Sequence, residues 1–311
     1  MPHVTFVHGI CNQPEKTQLL RNWNQSLSEG GLDLAGAGVS TSMVYWADVM
    51  YPEPLAAGDS FEAVEGGLGT ADVDEDLAWI DELQGNEKAL VESMRRSLGV
   101  DSASPDGDDF KPEAPDENVS KLEFEAIPLP WFIKRRVMKA FLRDVHHYLF
   151  DATSSPRPGE SFRVKEHIRD LFVSQLSIDS QNEGPHVVVS HSMGTVISYD
   201  CLKNVPACPA IDGYMTVGSP LGLSEVHDNY DPRYNAKDAF PSVGVSGDWI
   251  NVYDRLDPVA FNARIADDYL KSGTEVVQDH RVTNGGAWRH SSLKYFAQES
   301  LCEHLANLLE L

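Results

Sequence analysis

The sequence predicts an α/β fold: a doubly wound, mostly parallel sheet with an acidic, mostly helical cap inserted into it. Short β-branched apolar runs alternate with stretches at helical spacing at both ends of the chain. These runs end in polar turns, where an open α/β sheet gathers its functional groups. Between Tyr51 and Pro158 the alternation stops, and that stretch holds most of the formal net charge of −23.

The elements follow in chain order. Val4–Val7 reads as a strand ending in His8-Gly9-Ile10. Glu15–Glu29 reads as a helix, with Leu19, Leu20, Trp23 and Leu27 on one face and Gly30-Gly31 as its stop. Val39–Trp46 is a second strand. Residues 1–50 and 159–311 are assigned to the core, and 51–158 to the inserted cap. Within the cap, Asp76–Leu98 has one apolar helical face, through Leu77, Ile80, Leu83, Leu90 and Met94. Ala103–Asn118 has the composition of solvated loop. Pro130–Phe150 is amphipathic: Val137, Met138, Phe141, Leu142, Val145, Tyr148 and Leu149 line one side. Lys134, Arg135, Lys139, Arg143 and His146 mostly occupy the other.

The core rhythm resumes with a helix over Val164–Ile178. A strand in HVVV follows, then the turn Ser190-His191-Ser192-Met193-Gly194 and a helix to Asn204. Further strands are expected at Ile211–Val217, Trp249–Tyr253 and Glu275–Val282, with a polar loop from Ser224 to about Gly247. A closing helix spans Ser291–Leu309.

Composition narrows the classes. At 311 residues, 41% hydrophobic and 23% charged, the chain can bury a large core. Its negative charge argues against nucleic acid, whose phosphates demand basic patches. No apolar run is long enough for a bilayer span, so stable membrane insertion is not expected. The basic face of Pro130–Phe150 leaves transient lipid contact open. Cys11, Cys201, Cys208 and Cys302 have neither CxxC nor metal-ligand spacing. With Met1-Pro2-His3 running straight into a strand, a cytoplasmic protein with free thiols is expected, and no metal.

Ser192 stands on a tight turn between a buried strand and a helix, flanked two positions away by Ser190 and Gly194. Such a turn lifts a serine oxygen above the sheet, and the helix start offers unpaired N–H groups beside it. A serine hydroxyl needs a base to become a nucleophile. His290, in the loop between the last strand and the last helix, is the candidate. Asp254 and Asp257, after the Trp249–Tyr253 strand, are the candidate acids. His3, His191, His280 and Cys11 read as structural.

Serine, then aspartate, then histidine is the chain order of the α/β-hydrolases. On VTFVHGI, VVVSHSMG, TVGSPLG, NVYDRLDPV and WRHSSLKYF, the chain resembles that superfamily, and within it the lipase-like serine esterases. The likeness spans roughly Pro2–Trp46 and Phe162–Leu311. It implies a Ser192–His290–Asp257 triad, the acid taking the later position and Asp254 capping the turn. It also implies an oxyanion hole from the N–H groups of Met193 and Ile10. The implied activity is hydrolysis of a small carboxylic ester through an acyl-enzyme, without cofactor. Amide or thioester cleavage is the alternative, as is a binding protein that kept the fold alone. The amphipathic helix, through Trp131, Phe132 and Phe141, is expected to line the acyl pocket.

Overall fold

The computed structural model describes residues 1–56, 79–97, 131–230, 234–260, 262–286 and 288–311; side chains of 96–97 and 131–138 are not described. Most of the predicted cap, 57–78 and 98–130, therefore lies outside the described residues.

Eight strands are described: β1 (His3–Val7), β2 (Ser40–Val44), β3 (Thr153–Ser154), β4 (Phe162–Arg163), β5 (His186–His191), β6 (Gly213–Val217), β7 (Trp249–Asp254) and β8 (Gln278–Val282). Six of them form one sheet in the order β2-β1-β5-β6-β7-β8. Every neighbouring pair in it is parallel. All six carboxyl ends therefore share one edge. β3 and β4 form a small antiparallel hairpin beside the entry to the helix Val164–Asp179.

Side chains alternate across the sheet with period two. Val4, Phe6, Val187 and Val189 face one core layer, closed by the helices Lys16–Glu29, Ser292–Phe296 and Glu299–Leu308. Val7 and Val188 face the other, with Trp131–Leu149, Val164–Asp179 and Met193–Asn204. Helices on both faces make the sheet doubly wound.

A buried polar junction fixes the second layer. Asp200 takes two bonds from Arg169, at 2.9 and 2.8 Å, and one from the Tyr148 hydroxyl at 2.8 Å. The carboxylate is fully buried and paired, as a buried charge must be. It joins the helices 164–179 and 131–149 to the helix that begins after Ser192.

Several boundaries differ from the sequence expectation. The Asp76–Leu98 helix is two pieces, Trp79–Glu82 and Gly85–Ser97. Gly85, the first residue of the second piece, has φ +57°, left-handed backbone that interrupts the helical run. The closing helix breaks at Ala297-Gln298 into Ser292–Phe296 and Glu299–Leu308. The last strand is shorter, Gln278–Val282. The loop after Ser224 contains the short helix Ser224–His227.

Pro130–Phe150 is helical over Trp131–Leu149, but its polar face is partly covered. His146 is buried; its ring packs 5.1 Å from Trp79, and its Nε2 lies 3.4 Å from Glu87. Phe141 is a core residue in one apolar cluster with Ile10 and Met193. The side chains of Trp131 and Phe132 lie outside the described residues.

Candidate active site

Ser192 sits between β5 and the helix Met193–Asn204 with φ 55° and ψ −129°. An L-residue adopts this conformation only when its surroundings force it. Here they do. The Ser192 N–H donates to Val217 O at 3.0 Å, and Ser192 O accepts from Thr195 N at 2.9 Å. Gly194 lies against β1: a methyl group there would meet Val7 O at 2.4 Å and His8 O at 2.6 Å. Ser190 donates at 2.8 Å to Ser198 Oγ, which lies 2.7 Å from the Tyr214 hydroxyl. The polar group that departs from G-x-S-x-G is thus satisfied inside the core.

The Ser192 Oγ lies 2.8 Å from His290 Nε2, and His290 Nδ1 lies 2.8 Å from Asp257 Oδ2. Asp257 requires the proton on Nδ1, which leaves Nε2 free to accept the serine hydrogen. All three side chains are buried. Asp257 also accepts from the Tyr295 hydroxyl at 2.8 Å, from Val259 N at 2.8 Å and from Ala260 N at 3.3 Å.

Asp254 takes a different part. Its Oδ2 accepts from Arg289 Nη1 at 3.0 Å and Asn284 N at 2.7 Å, and its Oδ1 from Leu256 N at 2.8 Å. The Asn284 side chain donates to Arg289 O at 2.7 Å. Asp254 thereby anchors the loop that carries His290.

His191 braces His290 from below. Its Nε2–H donates to His290 O at 2.9 Å, and the two rings are 4.7 Å apart. Burial first, then the neighbouring His290, pushes the His191 pKa well down, so it stays neutral. His280 lies on β8, with its ring tilted against that of His304, centroids 3.7 Å apart.

The His8-Gly9-Ile10 turn is held by its histidine. His8 Nδ1–H donates to Gly9 O at 2.9 Å, while its Nε2 accepts from Trp46 N at 2.9 Å and Ala47 N at 3.3 Å. Burial pushes the His8 pKa down to about 3, which keeps this neutral tautomer in place. Fixing the Gly9 carbonyl fixes the whole trans peptide, including the Ile10 N–H. A methyl on Gly9 would stand 2.7 Å from Ser192 Cβ, so this turn and the serine turn are in contact. Met193 opens the helix after Ser192, where N–H groups lack intrahelical partners.

The structure thus brings together Ser192, His290 and Asp257, with Ile10 and Met193 on the two turns beside them. Tyr295, Arg289 and Gly218 were not read from the sequence. Gly218 has φ +55°, and a methyl there would meet Asp257 Oδ2 at 3.0 Å and His290 Nδ1 at 3.3 Å. Its signal was the glycine ending β6 in TVGSPLG.

At the opposite edge of the sheet, His3, Asp179 and His186 converge, one ligand atom from each lying within 4.8 Å of the others. The Thr5 hydroxyl bridges two of them. It donates to Asp179 Oδ2 at 2.7 Å and lies 2.8 Å from His186 Nε2; Ser42 Oγ donates to the same carboxylate at 2.6 Å. These bonds knit β1, β2 and β5 to the end of the helix 164–179.

A serine on a strained strand-to-helix turn, followed in chain order by an aspartate and a histidine beyond later strand ends of a parallel sheet, is the arrangement of the α/β-hydrolase fold. No family model matches the chain, and no curated protein matches it. Among solved structures it is similar to an S-formylglutathione hydrolase from Agrobacterium tumefaciens: 12% identity over 99% of this chain and 83% of that one, with a TM-score of 0.39. The fold assignment rests on the strand order and the serine turn, not on that likeness.

Proposed function

We propose that the chain is a serine hydrolase that cleaves a small carboxylic ester. The observation that carries this reading is the hydrogen-bonded relay from Ser192 through His290 to Asp257, mounted on a strained turn. His290 Nε2 takes the Ser192 proton as Oγ attacks the carbonyl. Asp257 holds the ring in its tautomer and stabilises the imidazolium. The N–H groups of Ile10 and Met193 donate to the oxyanion. His290 returns the proton to the leaving alcohol, and a water activated by the same ring then cleaves the acyl-enzyme. In this reading 51–158 is the cap over a core built from 1–50 and 159–311.

Cys11, Cys201, Cys208 and Cys302, none of them in a disulfide, support placing the protein in the cytoplasm. No described helix is long and apolar enough to cross a membrane.

The test is a fluorophosphonate probe, which labels an activated serine, followed by turnover of p-nitrophenyl esters of increasing chain length. Anilide and thioester counterparts run beside them. The expected result is labelling and ester turnover, with Ser192→Ala lowering turnover about a millionfold. A protein ignored by the probe and inert toward all three substrates is a binding module. Faster turnover of the anilide or thioester reassigns the substrate class.

A further inference from the structure

We infer that Asp144 is a positioning residue for the oxyanion, reaching from the amphipathic helix into the His8-Gly9-Ile10 turn; this rests on the hydrolase reading above. Asp144 lies on the Trp131–Leu149 helix, 133 residues from Cys11 in sequence, and is fully buried. Its Oδ2 accepts the Cys11 backbone N–H at 2.9 Å. Cys11 has φ 67°, left-handed backbone that a non-glycine residue holds only with outside support.

The same peptide is gripped at its other end. The Ile10 carbonyl accepts from the buried Gln13 side chain at 2.9 Å. Asp144 and Gln13 therefore fix the Ile10–Cys11 peptide at its N–H and its C=O. On the other side of Ile10, His8 fixes the Gly9–Ile10 peptide through Gly9 O. Ile10 is pinned between two clamped peptide planes, and its own N–H is the donor proposed for the oxyanion. Donors set in advance of the reaction act without reorganisation cost, so a small change in their aim is felt in the transition state.

Asp144 is itself held in place. The Tyr51 hydroxyl donates to it at 3.2 and 3.3 Å, and Arg143 Nη2 pairs with Oδ1 at 2.9 Å. A buried carboxylate held by three partners is a rigid acceptor. It ties the helix 131–149 to the aim of the Ile10 donor, so this helix acts on the reaction through the oxyanion and not only through packing.

The experiment compares Asp144→Ala, Asp144→Ser and Asp144→Asn with the wild type. It measures kcat and KM for p-nitrophenyl acetate, and inhibition by phenylboronic acid, whose serine adduct carries a tetrahedral oxyanion. Wild-type turnover abolished by Ser192→Ala is the prior condition; its failure removes the hydrolase reading whatever Asp144 does. Asp144→Ala should lower kcat about 10- to 100-fold with KM within about twofold, and weaken phenylboronate binding in proportion. Asp144→Ser, which leaves a polar group for Tyr51 but does not reach Cys11, should do the same and serves if the alanine variant does not fold. Asp144→Asn keeps an oxygen for the Cys11 N–H and should restore most of both. Unchanged kcat in a folded Ala or Ser variant overturns the proposal, as does a lower kcat with undiminished boronate affinity.

Discussion

The Tyr295 hydroxyl donates at 2.8 Å to Asp257 Oδ2, the same oxygen that His290 engages. That hydroxyl also accepts the Asp254 N–H at 2.9 Å. One buried phenol thus links both aspartates. Burial first, and then the Asp257 charge, raise its pKa well above the usual tyrosine value, so it remains a donor. A donor on Oδ2 draws off charge that would otherwise stabilise the His290 imidazolium. Tyr295→Phe should therefore move the acid limb of kcat/KM toward higher pH. It also leaves the Asp254 N–H without its acceptor, at a cost of about 1–3 kcal/mol in stability. A pH–rate profile and a urea melt measure the two effects separately; an acid limb that stays in place contradicts the first.

The two aspartates should separate under mutation. Asp257→Asn removes the charge facing His290 and should lower turnover by up to about 10⁴-fold, by analogy with the protease triad. Asp254→Asn removes the carboxylate charge that pairs with the buried Arg289, and leaving one partner of a buried pair uncompensated costs about 3–5 kcal/mol. Its main effect should be on the melting temperature. If Asp254→Asn proves stable and inactive while Asp257→Asn turns over, the roles are reversed.

Acid should destabilise the protein before its carboxylates titrate. Burial pushes His8 down to about 3, and burial aided by His3 pushes His186 down to about 4, both from 6.5. Below pH 6.5 the unfolded chain binds protons at these rings that the folded chain refuses. Stability is then lost as pH falls from about 6.5 through the folded values, by up to about 1.4 kcal/mol per pH unit for each ring. Asp179, held down to about 2 by His3, Ser42 and Thr5 against the cost of burial, adds its loss only below its ordinary value of 3.8. Urea melts between pH 7 and 4 should show the decline. His186→Gln, at the edge of the sheet away from Ser192, should flatten it without changing kcat; an equally steep decline in that variant removes His186 from the account.

Much of this site was legible because each part stands within a few residues of a strand end. HVVV, the small residues around Ser192 and the loop positions of Asp257 and His290 are local signals. What was not legible depends on partners far away in the chain. Nothing near Tyr295 says that it faces Asp257, and nothing near Asp144 says that it reaches Cys11. His146 read as part of a basic face, and the partners that cover it, Trp79 and Glu87, belong to two other helices. Amphipathicity marked the buried side of Phe141 without saying what it is buried against, which is the cluster that also holds Ile10 and Met193. The Tyr51–Pro158 charge pattern marked a break in the α/β rhythm, and the helix 131–149 within it shares a core with Ile10 and Met193.

Gly9 tests the contact between the two turns. A methyl on its Cα would lie 2.7 Å from Ser192 Cβ, 3.1 Å from His191 Nδ1 and 3.3 Å from His191 O. None of these neighbours is a flexible chain end. Ser192 is locked by its backbone bonds, and His191 by its bond to His290 O. Gly9→Ala must therefore push the serine turn and the Ile10 peptide apart. Overpacking of this kind costs about 1–3 kcal/mol, which a domain of this size survives. The reaction is less tolerant, because a displacement of about 1 Å between nucleophile and oxyanion donors can cost about a hundredfold. Gly9→Ala should thus fold, melt somewhat lower, and hydrolyse p-nitrophenyl acetate about a hundredfold more slowly with little change in KM. Gly194→Ala is the contrast: its methyl would meet the backbone oxygens of Val7 and His8, so it should lose stability first. A Gly9→Ala enzyme with wild-type kcat would mean that the turns are not in register for catalysis, and the oxyanion assignment of Ile10 would fall with it.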